Sequence, residues 1–173
     1  NTKHHASPNL DKPKDFAELL ACRFVKTSYI TDIDGVEYAA VMKNIVAMSC
    51  GIVHGVGAGD HFQAVLVSNA IIEIERFLDS ISPRERNVNI SAYLGDLLVT
   101  SYSQFSRNRT FGNMIGRGYS VKAAKVELKM IAEGYYATQC IEQINKTFKV
   151  DLPIVKFAYD VLYKNEKPLK AFE

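Results

Sequence analysis

The 173-residue sequence predicts a mainly α-helical protein preceded by the tail of an α/β unit. Two observations lead there. From Val36 onward no segment alternates apolar and polar residues with a period of two; apolar residues recur at spacings of three and four, punctuated by glycine and proline. Ahead of Val36, a short helix-type stretch runs into a single strand-type stretch. That is the look of the last αβ unit of a parallel sheet whose other strands are missing.

In chain order, Ser7-Pro8-Asn9 to Lys12-Pro13 is turn-rich. Pro13 suits the first turn of a short helix through Phe16, Leu19 and Leu20, with Asp15 and Glu18 near its positive end. Phe24, Thr27, Tyr29 and Ile30 are strand types, and Asp32, Asp34 and Gly35 are expected to end that strand. Val36, Ala39, Ala40, Lys43, Ala47, Cys50, Gly51 and His54 trace one side of a long helix. Its opposite side is apolar as well, so it is expected to be buried nearly all round. Gly55 to Gly59 breaks this helix, and Asp60 caps the next, which runs to about Leu78. Gly55-x-Gly57-x-Gly59 imitates a dinucleotide loop, but it follows a helix rather than a strand and its last spacing is wrong. It reads as a helix–helix turn, flanked by His54 and His61 in packing or capping roles. Residues 82–86 form a polar connection, and further helices are expected near 92–101, 107–115, 121–131, 138–148 and 153–164.

Composition narrows the function. A hydrophobic fraction of 47% calls for a buried core, and a net charge of +2 without a run of like charges argues against a nucleic-acid partner. Cys22, Cys50 and Cys140 have no metal-ligand spacing and read as free thiols of a reducing compartment. Charged or polar residues interrupt each apolar run before it reaches the ~20 residues of a membrane span, and no signal peptide is visible. The expected location is cytoplasmic. Asn1 to Ala6, with His4-His5 and no initial Met, read as an artificial boundary or tag remnant rather than a metal site.

Four clusters hold the candidate chemistry. Lys43 lies mid-helix among Ala39, Ala40, Val41, Met42, Ile45, Val46 and Ala47. Either its stem snorkels to the surface, or it is a desolvated amine that exchanges a proton with a substrate hydroxyl. Asn44 can hydrogen-bond the same region. Asp96 is the sole charge in its run: either a helix-start carboxylate, or a partner that orients Lys43 and binds a substrate hydroxyl, with Thr100 one turn further on. Ser106-Arg107-Asn108-Arg109 pairs an N-cap serine with a guanidinium fork and an amide, which suits an anion. The alternative is a solvated charge cluster, Arg109 above all. Glu133 before Gly134 is either a surface helix end or a carboxylate that accepts hydrogen bonds from a nucleotide's ribose or amide.

The order of these clusters says more than any one of them. Gly35-Val36-Glu37-x5-Lys43-Asn44 is followed by Gly51-Ile52-x-x-Gly55-x-Gly57-x-Gly59-Asp60, Gly95-Asp96-Leu97 and Ser106-Arg107-Asn108-Arg109-x-Phe111-Gly112. Then come Ala132-Glu133-Gly134, Leu152-Pro153-Ile154 and Tyr159-x-Val161-Leu162-Tyr163. Together they resemble the C-terminal substrate domain of the NAD(P)-dependent glycerol-3-phosphate dehydrogenase family, from about Asp34 to Glu173. The resemblance implies a multi-helix, 6-phosphogluconate-dehydrogenase-like domain over 34–173, with 1–33 a remnant helix and strand of the N-terminal Rossmann domain. It implies interconversion of sn-glycerol 3-phosphate and dihydroxyacetone phosphate with NAD or NADP, in phospholipid biosynthesis. Lys43 would be the proton acceptor. Asp96, Ser106, Arg107 and Asn108, joined on the residue reading by Asn44 and Thr100, would surround the substrate. Arg107, Ile131 and Glu133 would lie near the cofactor, and no metal is implied. The implied partners are the missing Rossmann domain and a second copy in a homodimer.

The family's glycine-rich phosphate turn, ribose-binding acid and second lysine are absent. The chain is therefore expected to be an excised domain or proteolytic product, inactive alone. Two competing readings are a related reductase acting on another hydroxy or keto acid, against which the phosphate-type cluster argues, and a non-catalytic helical module for dimerisation or protein interaction. The discriminator is whether Lys43, Asp96 and Arg107 share one cleft. Either way, the cut sheet should leave apolar surface exposed near residues 24–30.

Overall fold

The computed structural model describes residues 2–6 and 11–172; the turn read at Ser7, Pro8 and Asn9 lies outside the described residues. In chain order the elements are β1 (Thr2–Ala6), α1 (Asp11–Leu20), β2 (Lys26–Ile30), α2 (Ile33–Gly55), α3 (Asp60–Ile81), a π-helical turn (Ser91–Gly95), α4 (Asp96–Tyr102), α5 (Arg107–Gly116), α6 (Val121–Leu128), α7 (Glu133–Phe148), α8 (Pro153–Tyr163) and a closing 3-10 turn (Lys170–Phe172). The mainly α reading holds.

The first residues differ from expectation. Thr2–Ala6 is a strand and pairs in parallel with β2 from Thr2 opposite Lys26 to Ala6 opposite Ile30. The α/β piece is thus a β–α–β unit rather than a lone helix and strand. A strand's N–H and C=O groups need a partner, and parallel partners need a crossover, which α1 provides. The Thr27 hydroxyl donates to the Ala17 carbonyl at 2.9 Å, fastening α1 to β2. Phe24 and Tyr29 are exposed, as expected near residues 24–30, and so are Phe16, Leu19 and Leu20 on α1.

Asp32 and Gly35 open α2 instead of closing β2: the Asp32 side chain accepts the Gly35 N–H at 3.1 Å as the N-cap. The residues after the cap carry helical spacing, so the chain turns directly into the core. α2 packs against α3, α4, α5, α7 and α8, and residues 45–53 are buried without interruption. By length and composition this helix is apolar enough to cross a membrane, contrary to the expectation that charges interrupt every run. Burial inside the helical body accounts for that composition.

Two glycine pairs set the closest crossing in the fold. A Cβ on Gly51 or Gly55 would overlap the carbonyl oxygens of Arg109 and Asn113, and one on Gly112 or Gly116 would overlap those of Met48 and Ile52. Small residues four apart on both helices let the α2 and α5 backbones touch.

Two carboxylates are buried by design of the connections. Asp32 accepts from Arg86 Nε at 3.0 Å, Arg84 Nη1 at 3.2 Å and the Tyr93 hydroxyl at 2.6 Å, besides Gly35. The segment read as a solvated connection therefore folds inward, with the Arg86 side chain only 3% exposed. Burial alone would raise the Asp32 carboxyl, but hydrogen bonds from Arg86, Tyr93 and Gly35 outweigh it and hold the group at about 2. Glu73 accepts the Ile154 and Val155 N–H groups at 2.8 and 3.0 Å, capping α8, whose N-cap residue Leu152 has no side-chain acceptor. Burial pushes its carboxyl up to about 7, against the lowering effect of those two amides.

Other boundaries shift modestly. Gly59, not Asp60, is the N-cap of α3, which runs to Ile81. α6 stops at Leu128 because Lys129 adopts a left-handed conformation (φ 50°). Ile131 therefore sits in a connection, and Glu133 begins a helix rather than following one.

Candidate active site

Lys43 projects from the middle of α2, and its ammonium forms an ion pair with Asp96. Asp96 is the first residue of α4, delivered there by the π-helical turn that ends at Gly95. The Lys43 side chain is 22% exposed and that of Asp96 44%, so the pair borders open space rather than lying sealed in the core. Only Oδ2 of Asp96 is engaged, and the ammonium has two further hydrogens. Thr100 lies on the same face, but its hydroxyl donates to the Asp96 carbonyl at 2.8 Å and keeps only acceptor capacity.

A chain of amides extends from Lys43's neighbour. Asn108 Nδ2 donates to Asn44 Oδ1 at 3.0 Å, Asn44 Nδ2 donates to Glu133 Oε2 at 3.4 Å, and the Gly134 N–H donates to Asn108 Oδ1 at 2.9 Å. α2, α5 and the start of α7 are tied at one point. Gly134 is required there, because a Cβ would press on the Asn44 carbonyl. Asn108 is buried and Asn44 half-buried; each retains one amide hydrogen.

Ser106 caps α5 by accepting the Arg109 N–H at 3.3 Å. The N–H groups of Arg107 and Asn108 ahead of it have no helical acceptor, and with the helix dipole they make a pole that favours an anion. Arg107 is exposed and makes no hydrogen bond or ion pair among the described residues. Arg109 behaves differently. Instead of joining a solvated cluster, it is half-buried and donates to Gln63 Oε1 at 3.4 Å, while Gln63 donates to the Ser101 carbonyl at 3.2 Å.

Lys43 and Asp96 thus form one bonded pair and Asn44, Asn108 and Glu133 a second bonded group; Lys43 and Asn44 are neighbours on α2, and Ser106 and Arg107 stand at the helix start that Asn108 anchors. Ile131 is not bonded into this group. It is 66% exposed and lines a cavity of about 380 Å³ with Phe111, Lys125, Lys129, Tyr135 and Tyr136. The Lys125 ammonium lies 3.6 Å from the Tyr135 ring centroid. Sequence reasoning passed over this cavity, although the Tyr135-Tyr136 doublet directly after Glu133-Gly134 was a visible sign. It also missed the anchoring task of Asn108, for which no local signal exists.

The arrangement offers an amine poised by a carboxylate, an anion pole with a free guanidinium, and a second carboxylate at the edge. Among the described residues no group of His, Cys, Asp and Glu has the geometry to hold a metal ion.

Comparison with known proteins identifies a family. Residues 32–173 match the family described as NAD-dependent glycerol-3-phosphate dehydrogenase C-terminus. The glycerol-3-phosphate dehydrogenase (NAD(P)+) of Prosthecochloris aestuarii is 35% identical over 165 residues, which is 95% of this chain and 49% of that protein. The enzyme of the same name from Chlamydia caviae is 40% identical over 135 residues, 78% of this chain and 40% of its own length. The crystal structure of glycerol-3-phosphate dehydrogenase from Coxiella burnetii superposes with a TM-score of 0.92 at 27% identity, covering 99% of this chain and 53% of that one. The chain thus spans about half the length of the curated relatives it matches.

Proposed function

This chain belongs to the NAD-dependent glycerol-3-phosphate dehydrogenase C-terminal family, and on that premise we propose that it is the substrate-binding and catalytic part of an enzyme interconverting sn-glycerol 3-phosphate and dihydroxyacetone phosphate. The observation that carries this reading is the Lys43–Asp96 pair beside an α5 N-terminus that Asn108 ties to Asn44.

In the oxidation direction the Lys43 amine takes the proton of the substrate's C2 hydroxyl; in reduction its ammonium returns it to the developing alkoxide. Asp96 fixes the position of Nζ with one oxygen and offers the other to a substrate hydroxyl. The Arg107 and Asn108 N–H groups, with the Arg107 guanidinium, hold the phosphate at the far end of the substrate. Anchoring the phosphate converts binding energy into orientation at C2. The remaining amide hydrogens of Asn44 and Asn108 line the floor between these two ends, and Ser106 keeps the anion pole formed.

NAD or NADP supplies the hydride carrier. The residues present suit its nicotinamide end: Arg107, Ile131 and Glu133 are exposed, and an unpaired guanidinium and a carboxylate fit an amide and a ribose. The diphosphate requires a glycine-rich strand-to-helix turn, which the described residues do not contain. A Rossmann domain partner is proposed to provide it, and this chain alone is proposed to be inactive.

The test has two arms. Calorimetry on this chain should detect glycerol 3-phosphate binding that Arg107→Ala weakens. The full-length protein carrying this chain should oxidise NADH in the presence of dihydroxyacetone phosphate, and Lys43→Ala should remove that activity with the fold intact by circular dichroism. Full activity in Lys43→Ala would refute the assignment.

A further inference from the structure

We propose that a polar cavity against α5 binds a phosphate-class oxyanion, separately from the proposed site at Lys43. The cavity holds about 290 Å³ and is lined by His54, Gln104, Arg109, Thr110, Asn113 and Arg117. Two of the six are permanently cationic, a third is an imidazole, and none is a carboxylate.

Arg109 and His54 are held rather than loose. Arg109 leaves the helix at the tight α2–α5 crossing, and one edge of its guanidinium is fixed by Gln63, itself 3% exposed. Its Nε is buried and has no hydrogen-bond partner among the described residues. A buried N–H of a charged group without an acceptor is a group that calls for a ligand or a water. His54 Nδ1 and Asn113 Nδ2 lie 2.6 Å apart. With the amide donating, the ring carries its proton on Nε2 and remains a donor. Arg117 follows the end of α5, exposed and without an ion pair among the described residues.

His54 and Arg117 sit at the carbonyl ends of α2 and α5, which repel an anion. Each such end amounts to roughly half an elementary charge, whereas each guanidinium carries a whole one. The balance favours the anion. Arg107 and Arg109 are two residues apart and diverge by roughly 200° around the helix, so this cavity is not an extension of the pole at Ser106. It connects to that pole through one atom: the Arg109 N–H is the group that the Ser106 hydroxyl caps. An anion on the Arg109 side chain therefore bears on the residue that completes the first turn of α5. The volume exceeds that of free phosphate, and a small organic phosphate shares the same recognition chemistry.

The experiment is calorimetric titration of this chain with inorganic phosphate, in a chloride background, using Arg107→Ala and Arg117→Glu variants. Arg117→Glu changes an exposed residue and should fold normally by circular dichroism. The expected result is that Arg107→Ala still binds phosphate, and that adding Arg117→Glu weakens this remaining binding by about tenfold. Titrating Arg107→Ala with glycerol 2-phosphate then identifies the source: tighter binding than phosphate indicates an organic phosphate, and equal or weaker binding the free ion. Unchanged phosphate binding when Arg117→Glu is added to Arg107→Ala, or complete loss in Arg107→Ala alone, would overturn the proposal.

Discussion

Asp32 and Asp96 both stand at the start of a helix and both meet a basic side chain, yet they are built to opposite ends. Asp32 is 7% exposed and receives four hydrogen bonds, two from arginines, one from Tyr93 and one from the Gly35 backbone. Every lone pair that faces a donor is taken. Asp96 meets one ammonium, keeps its other oxygen unengaged and has nearly half its side chain in solvent. A saturated carboxylate fixes geometry; an undersaturated one leaves capacity for something that arrives later. Glu73 is an intermediate case, saturated by backbone amides instead of cations.

The contrast can be broken most directly at the proposed site. Lys43→Ala should lower turnover of the full-length enzyme by about 10³-fold while shifting its unfolding free energy by less than about 1 kcal/mol. A large stability loss would show that the pair is an anchor like Asp32. Asp32→Ala should do the reverse. It leaves Arg86 with only the exposed Asp79 and the Ser82 carbonyl, and urea unfolding should report a loss of about 4 kcal/mol; a loss under about 1 kcal/mol would remove the distinction.

Glu73 sharpens the comparison through pH. Its carboxyl lies at about 7 when folded against an ordinary 4.5, so the native state binds the proton more tightly. That contribution is complete below 4.5 and is lost as pH rises through about 7, on the order of 3 kcal/mol in all. Urea midpoints across this window should fall with pH, and Glu73→Gln should flatten the trend. Carried into acid, the same series should show the opposite sign from Asp32, whose carboxyl is held at about 2 against 3.8. Its contribution, about 2 kcal/mol, is present above 3.8 and disappears as pH falls through 2. The smallest effect is expected of Asp96→Asn, which should cost less than about 1 kcal/mol of stability, read by thermal unfolding.

Helical spacing made α2, α3, α5 and α8 legible in the sequence, because each presents a stripe, or in α2 a full cylinder, of apolar residues to the core. Lys43, Asp96 and the Ser106–Asn108 cap were legible as chemistry because charge in an apolar run, and a serine before an arginine at a helix start, have few uses. Their mutual placement was not, since it depends on helices 53 and 64 residues apart. The start of α7 was misplaced because Ala132 offers no capping side chain to mark it. The inward fold of Arg86 was hidden for a different reason: a polar segment reads as solvated until its buried carboxylate is known. β1 was lost because a strand carrying two adjacent histidines has the look of a tag remnant.

The glycine crossing of α2 and α5 has a further consequence, for which molecules the proposed site can accept. Lys43 rides on one helix and the phosphate-binding turn on the other, so the gap between reacting carbon and phosphate is gauged by two main chains in contact. The crossing fixes the main-chain part of that gap, and the Lys43 and Arg107 side chains span the rest. On the proposed reading, a side chain at Gly51 or Gly112 would push the two helices apart and change the length of substrate that fits between them, without touching any residue that contacts the ligand.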